Sequence, residues 1–218
     1  MNSANLKIAL TFSGGGYRAS SFDLGVLTYL DKVRYEDKSL LDQVLVLSTV
    51  SGGTITGIRY TQGIKNDESI VKIFQDLYFF MAEVNLISLS LQNLTDRDRW
   101  KGERIASLIN AISDVYDERL FCNGKFGDLL DPRRPIHLKH FSFNAVDFRY
   151  AVQFRFQQSE KLIKPEKDEP PKGIIGNYHL RVPESIAIDI RLSDILAAST
   201  CFPGGFEPIN FPSDFSLN

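Results

Sequence analysis

Apolar and polar positions change rhythm several times along the chain, and each change predicts an element. Ile8, Ala9 and Leu10 lie in an apolar run over residues 7–12, which Ser13-Gly14-Gly15-Gly16 stops at once. A buried strand ending in a glycine loop is the reading. Ala19, Phe22, Val26 and Leu30 then recur every three or four residues, as on one face of a helix. A polar stretch, 31–42, leads to a second apolar run over 44–47. That run breaks at Ser48-Thr49-Val50-Ser51-Gly52-Gly53. The segment that follows suits a helix, with Ile55 and Ile58 on one face and small Gly53, Thr54 and Gly57 available for close packing. Two strand–turn–helix units in succession predict an α/β fold with a parallel sheet crossed by helices.

The pattern then changes. Residues 68–84 read as a helix, and Leu77-Tyr78-Phe79-Phe80-Met81 is apolar nearly all round. Leu86, Ile87, Leu89, Leu91 and Leu94 prolong the apolar character, but Glu83, Asn85, Gln92 and Asn93 interrupt it, whereas a membrane span needs about 20 mostly apolar residues. For 77–94 two readings stay open: a core helix with a packed loop, or a lipid-facing lid or interfacial patch. Residues 95–98 offer a helix cap, and Trp100, Ile105, Leu108, Ile109, Ile112 and Tyr116 form an amphipathic stripe behind it. Residues 121–135 read as loop. Period-two alternation over 141–146 and 150–157 predicts two strands, the second with one wet face. The Lys-, Glu- and Pro-rich stretch 159–181 reads as an exposed insertion, Ser193 as the cap of a short helix over 194–199, and 200–208 as a bend rich in Pro and Gly.

Composition narrows the function classes. With 218 residues the chain suits one domain with a substantial core, and 43% apolar with 24% charged residues is ordinary for a globular protein. A net charge of -2 argues against nucleic acid as a partner. The two cysteines, Cys122 and Cys201, fit no metal spacing and suit a reducing compartment. No basic region followed by an apolar core opens the chain, so the expectation is a cytoplasmic protein, with peripheral contact at membranes and no cofactor.

The chemistry centres on Ser51. A strand that stops at a serine followed by two glycines and a helix is how a nucleophile elbow is built, although an ordinary Ser-Gly-Gly turn has the same composition. Thr49 stands where the commonest elbow pattern has its first glycine. The earlier loop admits three readings. Gly14-Gly15-Gly16-Tyr17-Arg18-Ala19 satisfies a dinucleotide-binding pattern, yet Glu36 and Asp37 lie in the connection before the second strand, not at that strand's end. A plain tight turn is the second. An oxyanion hole is the third and is favoured, because an elbow serine sits on the next strand and acyl transfer needs both parts together. The base is less clear. His137 and His140 lack an evident third metal ligand and read as surface or satisfied histidines. His179 could complete a triad. If no histidine serves, a carboxylate takes the serine proton.

Together these residues carry a resemblance. Ser13-Gly14-Gly15-Gly16-Tyr17-Arg18-Ala19, then Ser48-Thr49-Val50-Ser51-Gly52-Gly53, then Ala198-Ser199-Thr200-Cys201-Phe202-Pro203-Gly204-Gly205-Phe206-Glu207-Pro208 resemble the patatin-like phospholipases in order and spacing. Asn144-Ala145-Val146-Asp147 and Phe154-Arg155-Phe156 are similar to a further stretch of that family. The resemblance implies a three-layer α/β/α fold with a mainly parallel central sheet, and a Ser–Asp dyad acting on phospholipid or other lipid esters. It makes Ser51 the nucleophile. Gly14, Gly15 and Gly16 become oxyanion donors, Arg18 orders that loop or meets a substrate phosphate, and Thr49, Gly52 and Gly53 support the elbow. The family's base is the Asp of an Asp-Gly-Gly or Asp-Gly-Ala motif beyond the Pro-Gly bend. Here Asp214 is followed by Phe215 and Ser216, and Asp189 and Asp194 read as strand or helix-start residues. The expectation is therefore a chain lacking its C-terminal part and its base, inactive as given. A degenerate copy, or a non-catalytic lipid- or protein-binding module on the same scaffold, is the alternative.

Overall fold

The two strand–turn–helix units form as the pattern predicts. In the computed structural model, which describes residues 6–102, 104–159 and 175–215, β1 (Ile8–Phe12) leads through the glycine loop into α1 (Gly16–Lys32). A small hairpin of β2 (Arg34–Tyr35) and β3 (Lys38–Ser39) follows, then β4 (Val44–Val50) and α2 (Gly52–Lys65). Next come α3 (Ile70–Glu83), α4 (Leu86–Thr95), α5 (Leu108–Tyr116) and α6 (Phe126–Leu130). The strands β5 (His140–Asp147), β6 (Val152–Ser159), β7 (Ile175–Gly176) and β8 (Arg181–Val182) return to the sheet, and α7 (Glu184–Ala187) and α8 (Leu192–Thr200) follow.

Among the described residues the main sheet has six strands in the order β1-β4-β5-β6-β7-β8. β4 lies parallel to both β1 and β5, and β6 to β8 extend the sheet as an antiparallel ribbon. Helices cover it in the three-layer α/β/α arrangement. Phe12 pairs with Thr49 and Val50 with Asn144, so the loop after β1 and the turn after β4 leave the sheet at one carboxyl edge. Ligands of open α/β sheets bind at that edge.

Helix α2 is buried on nearly every side, which explains its small residues. A Cβ on Gly57 would lie 2.5 Å from Thr49 Cγ2, so the glycine is what lets α2 lie against β4. Its buried charges have polar partners. Arg59 meets Glu68 and, at 2.6 Å, Asp76, while Lys65 Nζ donates to the carbonyls of Asp131 and Arg134 at 2.9 and 2.8 Å.

Several expectations need correction. On α1 the buried positions are Ser20, Asp23, Leu24 and Leu27, while Phe22 is exposed. Val26 and Leu30 pack against the core at its edge, and Ser20 meets Thr56 of α2 in a hydroxyl bond of 2.7 Å, a close contact that suits a small residue. The amphipathic helix expected after Trp100 begins only at Leu108, capped by Ser107, whose hydroxyl accepts the Asn110 N–H at 3.3 Å. The Ile105 N–H goes to Asp214 Oδ1 instead, a tertiary partner that competes with the helix. The 121–135 loop contains α6, with Phe126 fully buried. Arg191, not Ser193, stands at the start of α8. Most of the 159–181 insertion lies outside the described residues, but Ile175 is fully buried and pairs with Phe156. Over 77–94, Leu77 and Phe80 are core, whereas Tyr78, Phe79, Ile87 and Leu91 are exposed. Among the described residues no helix is long and apolar enough to cross a membrane.

Candidate active site

The turn between β4 and α2 has one strained residue. Ser51 has φ 52° and ψ −123°, a region that side-chain-bearing residues rarely occupy and that elbow serines adopt. The neighbours explain how the turn closes. A Cβ on Gly52 would lie 2.3 Å from the Gly16 carbonyl oxygen, and one on Gly53 would lie 2.7 Å from Phe12. Gly53 N–H donates to the Ser13 carbonyl at 3.2 Å, and Thr54 N–H to the Ser51 carbonyl at 2.8 Å. Thr49 is buried inside β4 at a position free of positive φ, so a side chain is tolerated where the common pattern has glycine.

The glycine loop meets the elbow backbone to backbone. Gly15 and Gly16 have φ of 143° and 60°, which glycine adopts readily. A Cβ on Gly14 would lie 3.1 Å from Ser51 Cβ, so Gly14 passes directly against the serine side chain. Gly16 opens α1, whose first N–H groups have no partner within the helix and carry its positive dipole end. Gly14, Gly15, Gly16, Ser51, Gly52 and Gly53 are thus brought together. Arg18 stands exposed on the first turn of α1, where it lines a groove of about 290 Å³ with Tyr17, Ser21, Tyr78, Met81 and Ala82. Burial pushes the Tyr17 phenol up to about 12.

A chain of hydroxyls beneath the elbow went unassigned at the level of sequence. Ser199, near the end of α8, accepts the Ser51 N–H at 2.8 Å and donates to the Asn144 carbonyl at 2.7 Å. Its oxygen also lies 2.9 Å from Thr54 Oγ1, which lies 2.9 Å from Thr49 Oγ1. The Asn144 side-chain amide donates to the Thr49 carbonyl at 2.8 Å and to Ser48 Oγ at 3.0 Å. Ser199 and Asn144 both fall in runs with a family resemblance, which was the only signal available.

Most of the candidate bases are engaged elsewhere. His137 Nε2 lies 2.9 Å from the Tyr60 hydroxyl, and burial holds its pKa below the usual histidine value. His140 is lowered by burial and by the charge of Arg155. His179 stacks on Tyr150 with ring centres 4.1 Å apart. Asp189 pairs with Lys125 at 3.1 Å. Asp194 is fully buried, bound by Arg104, Arg191 and Ser113. Asp214 accepts from the Ile105 N–H at 3.3 Å and from the Asn210 N–H and side-chain amide at 2.8 and 3.1 Å. Among the described residues, no hydrogen bond joins the Ser51 hydroxyl to a histidine or carboxylate. Nor do His, Cys, Asp and Glu residues gather anywhere among them as a metal site would require. Glu36 and Asp37 lie at the β2–β3 turn, away from the end of β4, which removes the acidic partner a dinucleotide site needs.

Comparison with known proteins gives a family. The family model described as patatin-like phospholipase matches residues 10–214. No curated protein and no solved structure matches the chain.

Proposed function

The chain belongs to the patatin-like phospholipase family, and from that membership we propose that it is a serine-dependent lipid acyl hydrolase of phospholipase A or lysophospholipase type. The observation that carries the reading is the Ser51 backbone, held at φ 52° and ψ −123° with the Gly14–Gly16 loop packed against it. Strain of this kind costs about 1–3 kcal/mol and persists where the surroundings over-determine it, as at a working nucleophile.

In the proposed reaction Ser51 Oγ attacks the ester carbonyl, its proton passing to a general base and then to the leaving alkoxide. The amides of Gly14, Gly15 and Gly16 donate to the tetrahedral oxyanion, and losing one such donor costs about 3 kcal/mol. Water then releases the acyl group from Ser51. Thr49, Gly52 and Gly53 keep the turn tight enough for the serine to reach the oxyanion loop. The groove beside Tyr17 and Arg18 suits an aliphatic chain with an anionic group at its Arg18 end. The exposed apolar residues Phe74, Tyr78 and Phe79 on α3, with Ile87 and Leu91 on α4, provide a surface that rests on the lipid aggregate. A cytoplasmic setting is in keeping with two free cysteines.

The test is fatty-acid release from phospholipid micelles or p-nitrophenyl esters by the complete gene product. Ser51→Ala is expected to reduce it by about a thousandfold or more. Undiminished turnover in that variant sinks the assignment. Fluorophosphonate labelling separates a hydrolase from a non-catalytic binding module on the same scaffold, since only an activated serine reacts quickly.

A further inference from the structure

We propose that Ser199 is a positioning residue for Ser51, setting the direction of the nucleophile through its backbone N–H. The inference rests on Ser51 being the nucleophile.

The proton count in the hydroxyl chain settles its direction. A serine or threonine hydroxyl has one proton to give. The Ser199 proton goes to the Asn144 carbonyl at 2.7 Å, so its contact of 2.9 Å with Thr54 is one it accepts. Thr54 has then used its own proton and accepts from Thr49 at 2.9 Å. The Ser199 oxygen therefore accepts from both the Thr54 hydroxyl and the Ser51 N–H while donating once. Every direction in the chain is determined, and rotating one hydroxyl breaks at least one bond. Ser199 is nearly buried, Thr49 and Thr54 more completely, so water offers poor replacement.

This network reaches the strained point itself. Ser51 is the residue held at φ 52°, and Ser199 is the group that receives its N–H, at 2.8 Å. The same hydroxyl binds the Asn144 carbonyl, on the strand beside β4. One side chain thus ties the elbow to β5 and α8 together. Removing it frees the Ser51 N–H, the Thr54 hydroxyl and the Asn144 carbonyl at once, and the Ser51 backbone can then relax toward ordinary φ, carrying Oγ away from the Gly14–Gly16 loop.

The experiment compares the complete gene product with its Ser199→Ala, Ser199→Thr and Thr54→Val variants, using two readouts. The first is amide hydrogen exchange at Ser51. Slow exchange is expected in the unsubstituted chain and at least tenfold faster exchange in Ser199→Ala, with Thr54→Val in between. The second is the rate of fluorophosphonate labelling together with kcat and KM on a p-nitrophenyl ester. Ser199→Ala should lose at least tenfold in labelling and kcat, with KM within about twofold, and Ser199→Thr should recover most of the loss by restoring the hydroxyl. Unchanged exchange in Ser199→Ala overturns the proposal. So does faster exchange with labelling unchanged. If the unsubstituted chain does not label, the hydrolase reading falls, and the exchange result alone decides whether Ser199 holds the elbow backbone.

Discussion

The two ends of α8 are held by different chemistry. At its start, Asp194 is fully buried and takes Arg104 at 3.0 Å, Arg191 at 3.0 and 3.1 Å and the Ser113 hydroxyl at 2.6 Å. Burial works against the Arg191 charge, but Asp194 and the nearby Asp114 and Asp117 more than offset it and hold the guanidinium above its ordinary pKa. At its other end, Ser199 makes only neutral hydrogen bonds, to Ser51, Thr54 and Asn144. The difference follows from what each end is near. At the end away from Ser51, ion pairs can anchor the helix, the Asp194 charge being met by the Arg104 and Arg191 guanidinium groups. A carboxylate in the place of Ser199 could also accept the Ser51 N–H, yet it would put negative charge beside a site proposed to stabilise an oxyanion. Unit charges in a protein interior interact over several ångströms by kcal/mol amounts. A hydroxyl directs the backbone without that penalty.

The largest expected effect comes from breaking the ionic end. Asp194→Ala leaves two guanidinium groups short of a partner, and removing one member of a buried ion network costs about 3–5 kcal/mol. Urea unfolding, followed through the fluorescence of Trp100, the chain's single tryptophan, measures it. If the comparison holds, labelling of Ser51 per folded molecule changes far less than stability does. A proportional loss of both would show that the two ends act as one unit.

Next in size is a break at the elbow end. In Gly52→Ala the new Cβ lies 2.3 Å from the Gly16 carbonyl oxygen and 2.6 Å from the Gly16 nitrogen, both backbone atoms with little freedom to yield. The glycine loop and the elbow are forced apart, at a cost of about 1–3 kcal/mol in stability. Ester hydrolysis should fall by about 10²-fold or more, the size of a lost oxyanion donor. Activity within threefold of the unsubstituted protein would show that the two turns need not touch.

The same comparison shows what sequence makes legible. The two strand–turn–helix units, with the Ser51 turn and the glycine loop, were readable because each is local: apolar run, small residues, helix, within about a dozen positions. Ser51 and Gly14–Gly16 needed only the parallel pairing of β1 with β4 to meet. Ser199 lies 148 positions from Ser51 in the chain, and no period or spacing connects the two. The helix expected from Trp100 failed for a related reason. Its stripe is real, but Ile105 gives its N–H to Asp214, 109 positions away, and Ser107 caps the helix that remains. On α1, Val26 and Leu30 of the expected face do pack against the core, but Phe22 is exposed and the most buried positions are Leu24, Leu27 and Ser20, whose small size lets it meet Thr56. The base is unassigned, since His137, His179, Asp189, Asp194 and Asp214 each have a partner other than Ser51.

Asp23 gives the smallest effect and sharpens the contrast with Asp194. Both carboxylates are buried on helices, but Asp23 Oδ2 has no hydrogen-bond partner among the described residues, and burial pushes its pKa up from 3.8 to about 6. The sign follows from proton binding. Between pH 3.8 and 6 the folded chain holds the Asp23 proton more tightly than the unfolded chain does, so stability falls as pH rises through that window and the loss is complete above it. A rise of about two units corresponds to about 2–3 kcal/mol. Asp23→Asn removes the titration while keeping the shape. Its stability relative to the unsubstituted protein should improve by about 2 kcal/mol between pH 4 and pH 7, measured by urea unfolding at each pH. A difference that stays flat across that range would mean that Asp23 is hydrated or paired in solution, and the contrast would then rest on Asp194 alone.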